Sequence, residues 1–169
     1  MTIASTLRLS LYGVALSAIS TLGLIGCSNS STETAATAEN STATDKPAKS
    51  IAITQIVEHP SLDDMRRGII DELADNGYVE GQNLTVNFQS AQGNTATAGQ
   101  IAKQFAGDNP DAIVAISTPS AQSVVAASTT IPIIYTAVSD PLGAKLITAD
   151  GKPFQSNLTG LSSQLPLEP

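Results

Sequence analysis

The chain has 169 residues, with 8 Lys+Arg against 15 Asp+Glu and a net charge of -7. That balance excludes a nucleic-acid partner and a polybasic hold on anionic lipid, since both need clustered positive charge. A single cysteine, Cys27, excludes an internal disulfide.

Residues 1–26 read as a signal peptide. Arg8 gives a thin positive start, and the apolar stretch 9–25 (LSLYGVALSAISTLGLI) is too diluted by Ser, Thr and Gly to span a bilayer comfortably. Residues 28–50 contain no Val, Ile, Leu, Met, Phe, Tyr or Trp. Nothing there offsets the entropy of ordering, so 27–50 is expected to be a flexible tether. The stretch Leu24, Ile25, Gly26, Cys27 resembles the lipobox of bacterial lipoproteins. The resemblance implies cleavage before Cys27, lipidation of its thiol, and a lipid anchor in the cell membrane facing the periplasm or the cell exterior.

The folded part is expected from about Ile51. Residues 51–57 (IAITQIV) form a β-branched apolar run that reads as a buried strand. Leu62, Met65, Ile69, Ile70, Leu73 and Ala74 then recur at three and four residues, which predicts a helix with one buried face. Ser61 with Asp64 fits an N-terminal capping arrangement, and Asn76-Gly77 supplies the stop. A second strand is expected over 83–88 and a second helix over 95–105, with Ala98, Ile101, Ala102 and Phe105 as its stripe. Residues 111–117 (DAIVAIS) predict a third strand, 118–128 a third helix and 131–135 (IPIIY) a fourth strand. A weaker helical piece is expected over 142–147, and 157–160 opens a further strand. With right-handed crossovers this order predicts an α/β fold, a Rossmann-like parallel sheet with helices on both faces. The lobe is expected over 51–150, and 151–169 as the start of a crossover or hinge.

In open parallel sheets, ligands sit outside the carboxyl ends of the strands. Thr118 is placed as N-cap of the third helix with Pro119 at its first position. The amides of Ser120, Ala121 and Gln122 would then form a collar for a carboxylate or another small anion; a plain capped helix in water fits the stretch equally well. Glu58 could take an ammonium group, or pair locally, and His59 could donate a hydrogen bond or stack. Asp140 either caps the short helix or faces the cleft. A Ser/His/Asp site could be composed from Ser117 or Ser120, His59 and Asp140, but no G-x-S-x-G elbow surrounds either serine. No phosphate-binding glycine pattern follows the first strand, so no nucleotide cofactor is expected. No metal site is expected either, Asp63 and Asp64 being placed to favour a helix dipole.

The stretches ITQIVEHPSLDDMRRGIIDELADNGYVEGQNL, FQSAQGN, DAIVAISTPSAQ, IPIIYTAVSDPLGAKL and NLTG resemble the N-terminal lobe of ABC-importer substrate-binding lipoproteins, in their tryptophan/tyrosine-type branch. The resemblance implies one lobe of a periplasmic-binding-protein type I-like fold. It further implies a small solute, an aromatic amino acid, held between two lobes that dock on a membrane permease. It puts Glu58 and His59 at the cleft, Thr118, Ser120, Ala121 and Gln122 where the ligand carboxylate meets the helix start, Gln92 in the second loop, and Asp140 at the rim. In that family a second lobe begins soon after NLTG, and here SSQLPLEP follows. A single lobe is therefore expected, its counterpart either carried by a separate chain or lost by truncation to a non-functional product. A sensory or binding module at the cell surface is the alternative, and an extracytoplasmic enzyme a weaker one.

Overall fold

The computed structural model describes residues 46–163; the expected signal peptide, Cys27 and the tether up to residue 45 lie outside the described residues. Five strands, β1 (Lys49–Gln55), β2 (Leu84–Ser90), β3 (Ala112–Ile116), β4 (Ile133–Val138) and β5 (Leu158–Ser162), form one sheet in the order β2-β1-β3-β4-β5. Every neighbouring pair is parallel. Three helices cross between them: α1 (Pro60–Asp75), α2 (Thr95–Asp108) and α3 (Thr118–Ala127). The fold is thus the expected α/β sheet with helices on both faces, and β5 joins it beyond residue 150.

Strand alternation divides the core in two. Ala52, Ile113, Ala115, Ile133 and Tyr135 pack with α2 and α3, around the fully buried Phe105. Ile51, Ile53, Val114 and Ile116 face α1 through Leu62, Ile69, Ile70 and Leu73. The chain moves one way from β1 to β2 and the other way from β2 past β1 to β3, and right-handed crossovers then put α1 opposite α2 and α3. The switch point therefore lies between β1 and β3, where Gln55 pairs with Ile116.

Several local expectations are corrected. The N-cap of α1 is His59, not Ser61: Pro60 takes the first turn, and the His59 ring Nδ1 accepts from the Ser61 amide at 3.3 Å. The N-cap of α3 is Ser117, not Thr118, and its side chain makes no capping bond. The fourth strand begins after Pro132 and runs on to Val138. Ala137 at φ 55 interrupts its register with β5, between Tyr135 and Val138. In place of the helical piece expected over 142–147, residues 141–145 form a turn and Ile147 bridges to Pro153. Asp140 holds that turn: its carboxylate accepts from the Gly143 amide at 2.8 Å, and its carbonyl from Ala144 at 2.9 Å. Among the described residues no helix is long and apolar enough to cross a membrane.

Candidate functional site

Because all strands run parallel, the turns after β1, β2, β3 and β4 share one edge of the sheet. The turns after β1 and β3 are neighbours there, and their helices diverge to opposite faces. This opens a crevice at the switch point, where ligands of such sheets bind.

The loop after β1 is tied to the loop after β2. The Gln92 side-chain amide donates to the Glu58 carboxylate at 2.7 Å, and Gly93 N–H donates to the Ile56 carbonyl at 2.6 Å. Gln92 reaches this position from a left-handed backbone, φ 52. Glu58, His59 and Gln92 are all exposed at this edge. His59 has one ring nitrogen committed to the α1 cap, which leaves the other for solvent or a ligand.

The three helix starts at the edge differ in one respect. At α1, His59 caps Ser61, and the His59 carbonyl accepts from Leu62 and Asp63. At α2, the Asn94 side chain accepts from Ala96 and Thr97 at 2.8 and 3.1 Å. At α3 no side chain caps the amides, and the first turn carries no acidic residue. The Ala121 amide is already bonded to the Ser117 carbonyl at 3.0 Å. Ser120 is fully buried, so the amide open to a ligand at this start is that of Thr118, not those of Ser120, Ala121 and Gln122. A helix start of this kind carries a partial positive charge and suits an anion.

The remaining expected site residues sit deeper. Ser120 and Ala121 are fully buried, and the Ser120 hydroxyl takes a 3.4 Å bond from Ser117. The Gln122 side chain turns outward and donates to the Ala144 carbonyl at 3.2 Å, beside a groove between α2 and α3. Asp140 stands at the end of β4, occupied with its turn.

Of two further residues at this edge, one was not singled out in the sequence and the other was named there only as a possible catalytic serine. Gln55, fully buried at the end of β1, donates to the Asp63 carboxylate at 2.8 Å and to the Val57 carbonyl at 3.1 Å. That bond, reinforced by Arg66, holds the Asp63 carboxyl below the usual carboxylate range. The Gln55 Oε1 and the neighbouring Thr54 hydroxyl are buried without a hydrogen-bond partner among the described residues. Such groups are uncommon in native proteins. Ser117 is the other, held at φ 91 and ψ 158, a region costly for any residue with a side chain. The available signal was a polar residue closing an apolar strand, as in IAITQ and AIVAIS.

With this geometry the comparisons with known proteins agree. The chain belongs to the ABC transporter substrate binding protein family, which matches residues 50–169. A tyrosine-binding protein of Clostridioides difficile (strain R20291) is 44% identical over 145 residues, 86% of this chain and 41% of that protein. A ligand-free, open substrate binding protein with adhesive properties from Clostridium difficile has 46% identity and a TM-score of 0.67, covering 71% of this chain and 40% of that one. The ABC domain from Streptococcus pneumonia in complex with L-Trp has 37% identity and a TM-score of 0.61, covering 69% and 38%. This chain thus spans about two fifths of the length of the relatives it matches.

Proposed function

We propose that this chain is the amino-acid-contacting lobe of an ABC-importer substrate-binding lipoprotein, and that its ligand is an aromatic amino acid. The observation that carries the reading is the uncapped start of α3 facing the same edge as the Glu58 carboxylate. The Thr118 amide and hydroxyl at the start of α3 receive the ligand carboxylate, and Glu58, aligned by Gln92, receives its ammonium group. The names of the tyrosine-binding relative and the L-Trp-bound neighbour support the aromatic class. The role is capture and delivery to a membrane permease rather than turnover. A second lobe completes the clamp, and a lipid on Cys27 holds the chain at the outer side of the cell membrane.

Thermal unfolding with added amino acids tests the ligand. L-tyrosine and L-tryptophan raise Tm in a concentration-dependent way, because a ligand that binds only the folded state stabilises it. Tyramine, which lacks the carboxylate, leaves Tm unchanged. Equal stabilisation by tyramine, or none by either amino acid, refutes the proposed contacts. Labelled palmitate incorporated by the wild type and lost in Cys27→Ser tests the anchor.

The adhesive properties of one structural neighbour favour a second reading, a surface-binding module. It predicts binding to host or cell-surface material with no response to amino acids.

A further inference from the structure

Gln55 closes β1 at the switch point, paired with Ser90 of β2 on one side and Ile116 of β3 on the other. Strand alternation turns its side chain to the α1 face of the sheet, the face of Ile51 and Ile53. Its two bonds fix which end of the amide is which. The Val57 carbonyl and the Asp63 carboxylate are both acceptors, so both take the Nε2 group. The Oε1 atom is then left buried with no partner among the described residues. An unpaired buried acceptor costs stability, and an apolar side chain of similar size would avoid that cost. The apolar core beside it therefore does not account for a glutamine.

What the amide holds is the turn that leads to Glu58. The main chain of that turn is tied to the loop after β2. Ala91 N–H donates to the Gln55 carbonyl at 2.9 Å, and Gly93 N–H to the Ile56 carbonyl at 2.6 Å. The next carbonyl, that of Val57, is held by the Gln55 side chain at 3.1 Å, which pins the peptide joining Val57 to Glu58. The second bond carries the hold onto α1, because Asp63 lies in the first turn of that helix. Arg66 also donates to Asp63, at 3.4 Å, and its guanidinium lies 4.1 Å from the centre of the Phe88 ring on β2. The turn is thus braced on α1 as well as on β2.

We propose that Gln55 is a positioning residue for the ammonium group of the ligand. By pinning the Val57–Glu58 peptide to the first turn of α1, it sets where the Glu58 carboxylate stands. This role presupposes the reading of Glu58 as the ammonium contact. A contact fixed ahead of binding spares the ordering that binding would otherwise impose. Gln55 therefore matters for ligands that carry an ammonium group and not for those that lack one.

The test compares Gln55→Met with the wild-type full chain. Methionine is similar in length, donates nothing and removes the unpaired oxygen, so the melting profile is retained. Titration with L-tryptophan shows about a tenfold loss of affinity, the scale of one hydrogen bond to a charged group. Indole-3-propionate, which is tryptophan without its amino group, binds both chains alike. Amide exchange without ligand reads the brace itself. Gly93, whose N–H bonds to Ile56, exchanges faster in Gln55→Met, while Phe105 in the core does not. Asp63→Ala, at a partly exposed position, gives the same pattern in weaker form and carries the comparison should Gln55→Met fail to fold. Asp63→Asn, which keeps an acceptor for Gln55, stays at wild-type values. Unchanged Gly93 exchange, unchanged tryptophan affinity, or equal losses for tryptophan and indole-3-propionate overturns the proposal. A wild-type chain that binds no amino acid refutes the ligand reading instead, and Gly93 exchange then decides by itself whether Gln55 braces the turn.

Discussion

The side-chain amide of Gln92 donates to the Glu58 carboxylate at 2.7 Å, across 34 residues of sequence. The bond fixes the carboxylate beside the switch point in an exposed setting, where it adds little to stability. Glu58→Gln is therefore expected to leave the unfolding midpoint in urea nearly unchanged. Amino-acid affinity falls about tenfold or more, because a hydrogen bond to a charged group contributes about 1.5–3 kcal/mol. Gln92→Ala, which frees the carboxylate without removing it, gives a smaller loss. Calorimetric titration of the two variants checks the order.

Phe105 is the largest fully buried side chain, between α2 and the sheet. Phe105→Ala is expected to destabilise by about 3–5 kcal/mol, the lost transfer energy plus the cavity left behind. Phe154, which is 56% exposed, gives a change within about 0.5 kcal/mol when replaced by Ala. Urea denaturation of both variants reads the contrast.

Two glycines are needed for different reasons. A Cβ on Gly160 would run into the Tyr135 ring and its main-chain oxygen, directly across the β4–β5 pair. Backbone cannot step aside, so Gly160→Ala is expected to cost about 2–3 kcal/mol. A Cβ on Gly143 meets the Asp140 carboxylate, which can swing away at the loss of one hydrogen bond. Gly143→Ala then costs about 1 kcal/mol. Adding Asp140→Ala to it costs little more, since both changes remove the same contact. Thermal melts of the three variants test the ranking.

Asp63 is held below the usual carboxylate range chiefly by Gln55, and Asp111 chiefly by the Lys49 side chain and then the Ser50 amide. A carboxyl depressed in the folded state contributes stability above its unfolded pKa, about 3.9. That contribution is lost as pH falls through the folded value. Stability should therefore drop on acidification below about pH 4. The double variant Asp63→Asn/Asp111→Asn should show a shallower drop. Urea midpoints measured from neutral pH down into that range check it; parallel curves for wild type and variant count against the assignment.

The strand–helix order was legible because it rests on local chemistry: β-branched runs at 51–57 and 111–117, and the three-and-four spacing from Leu62 to Leu73. What escaped reading depends on contacts distant in sequence or on backbone angles. Nothing in STP announces that Ser117 takes φ 91 and so moves the α3 cap back by one residue. His59 as a cap was hidden because the imidazole nitrogen replaces the expected serine hydroxyl. The fourth strand was placed two residues early because IPII is apolar throughout, while its pairing with β5 starts only at Ile133. At the site, Glu58 and Gln92 could each be named from loop position, but their bond could not. Gln55 stayed unnoticed because a polar residue in a strand is usually exposed, and this one is fully buried.

The most direct measurement is an amide NMR titration of the chain with L-tryptophan, which reports weak binding residue by residue. Saturable shifts should appear at 56–59, Gln92, Ser117, Thr118 and Ser120, with Thr95 and Gly99 in the α2–α3 groove unmoved. No shift up to about 10 mM, an affinity too weak to matter for capture, would contradict the account, as would shifts confined to that groove.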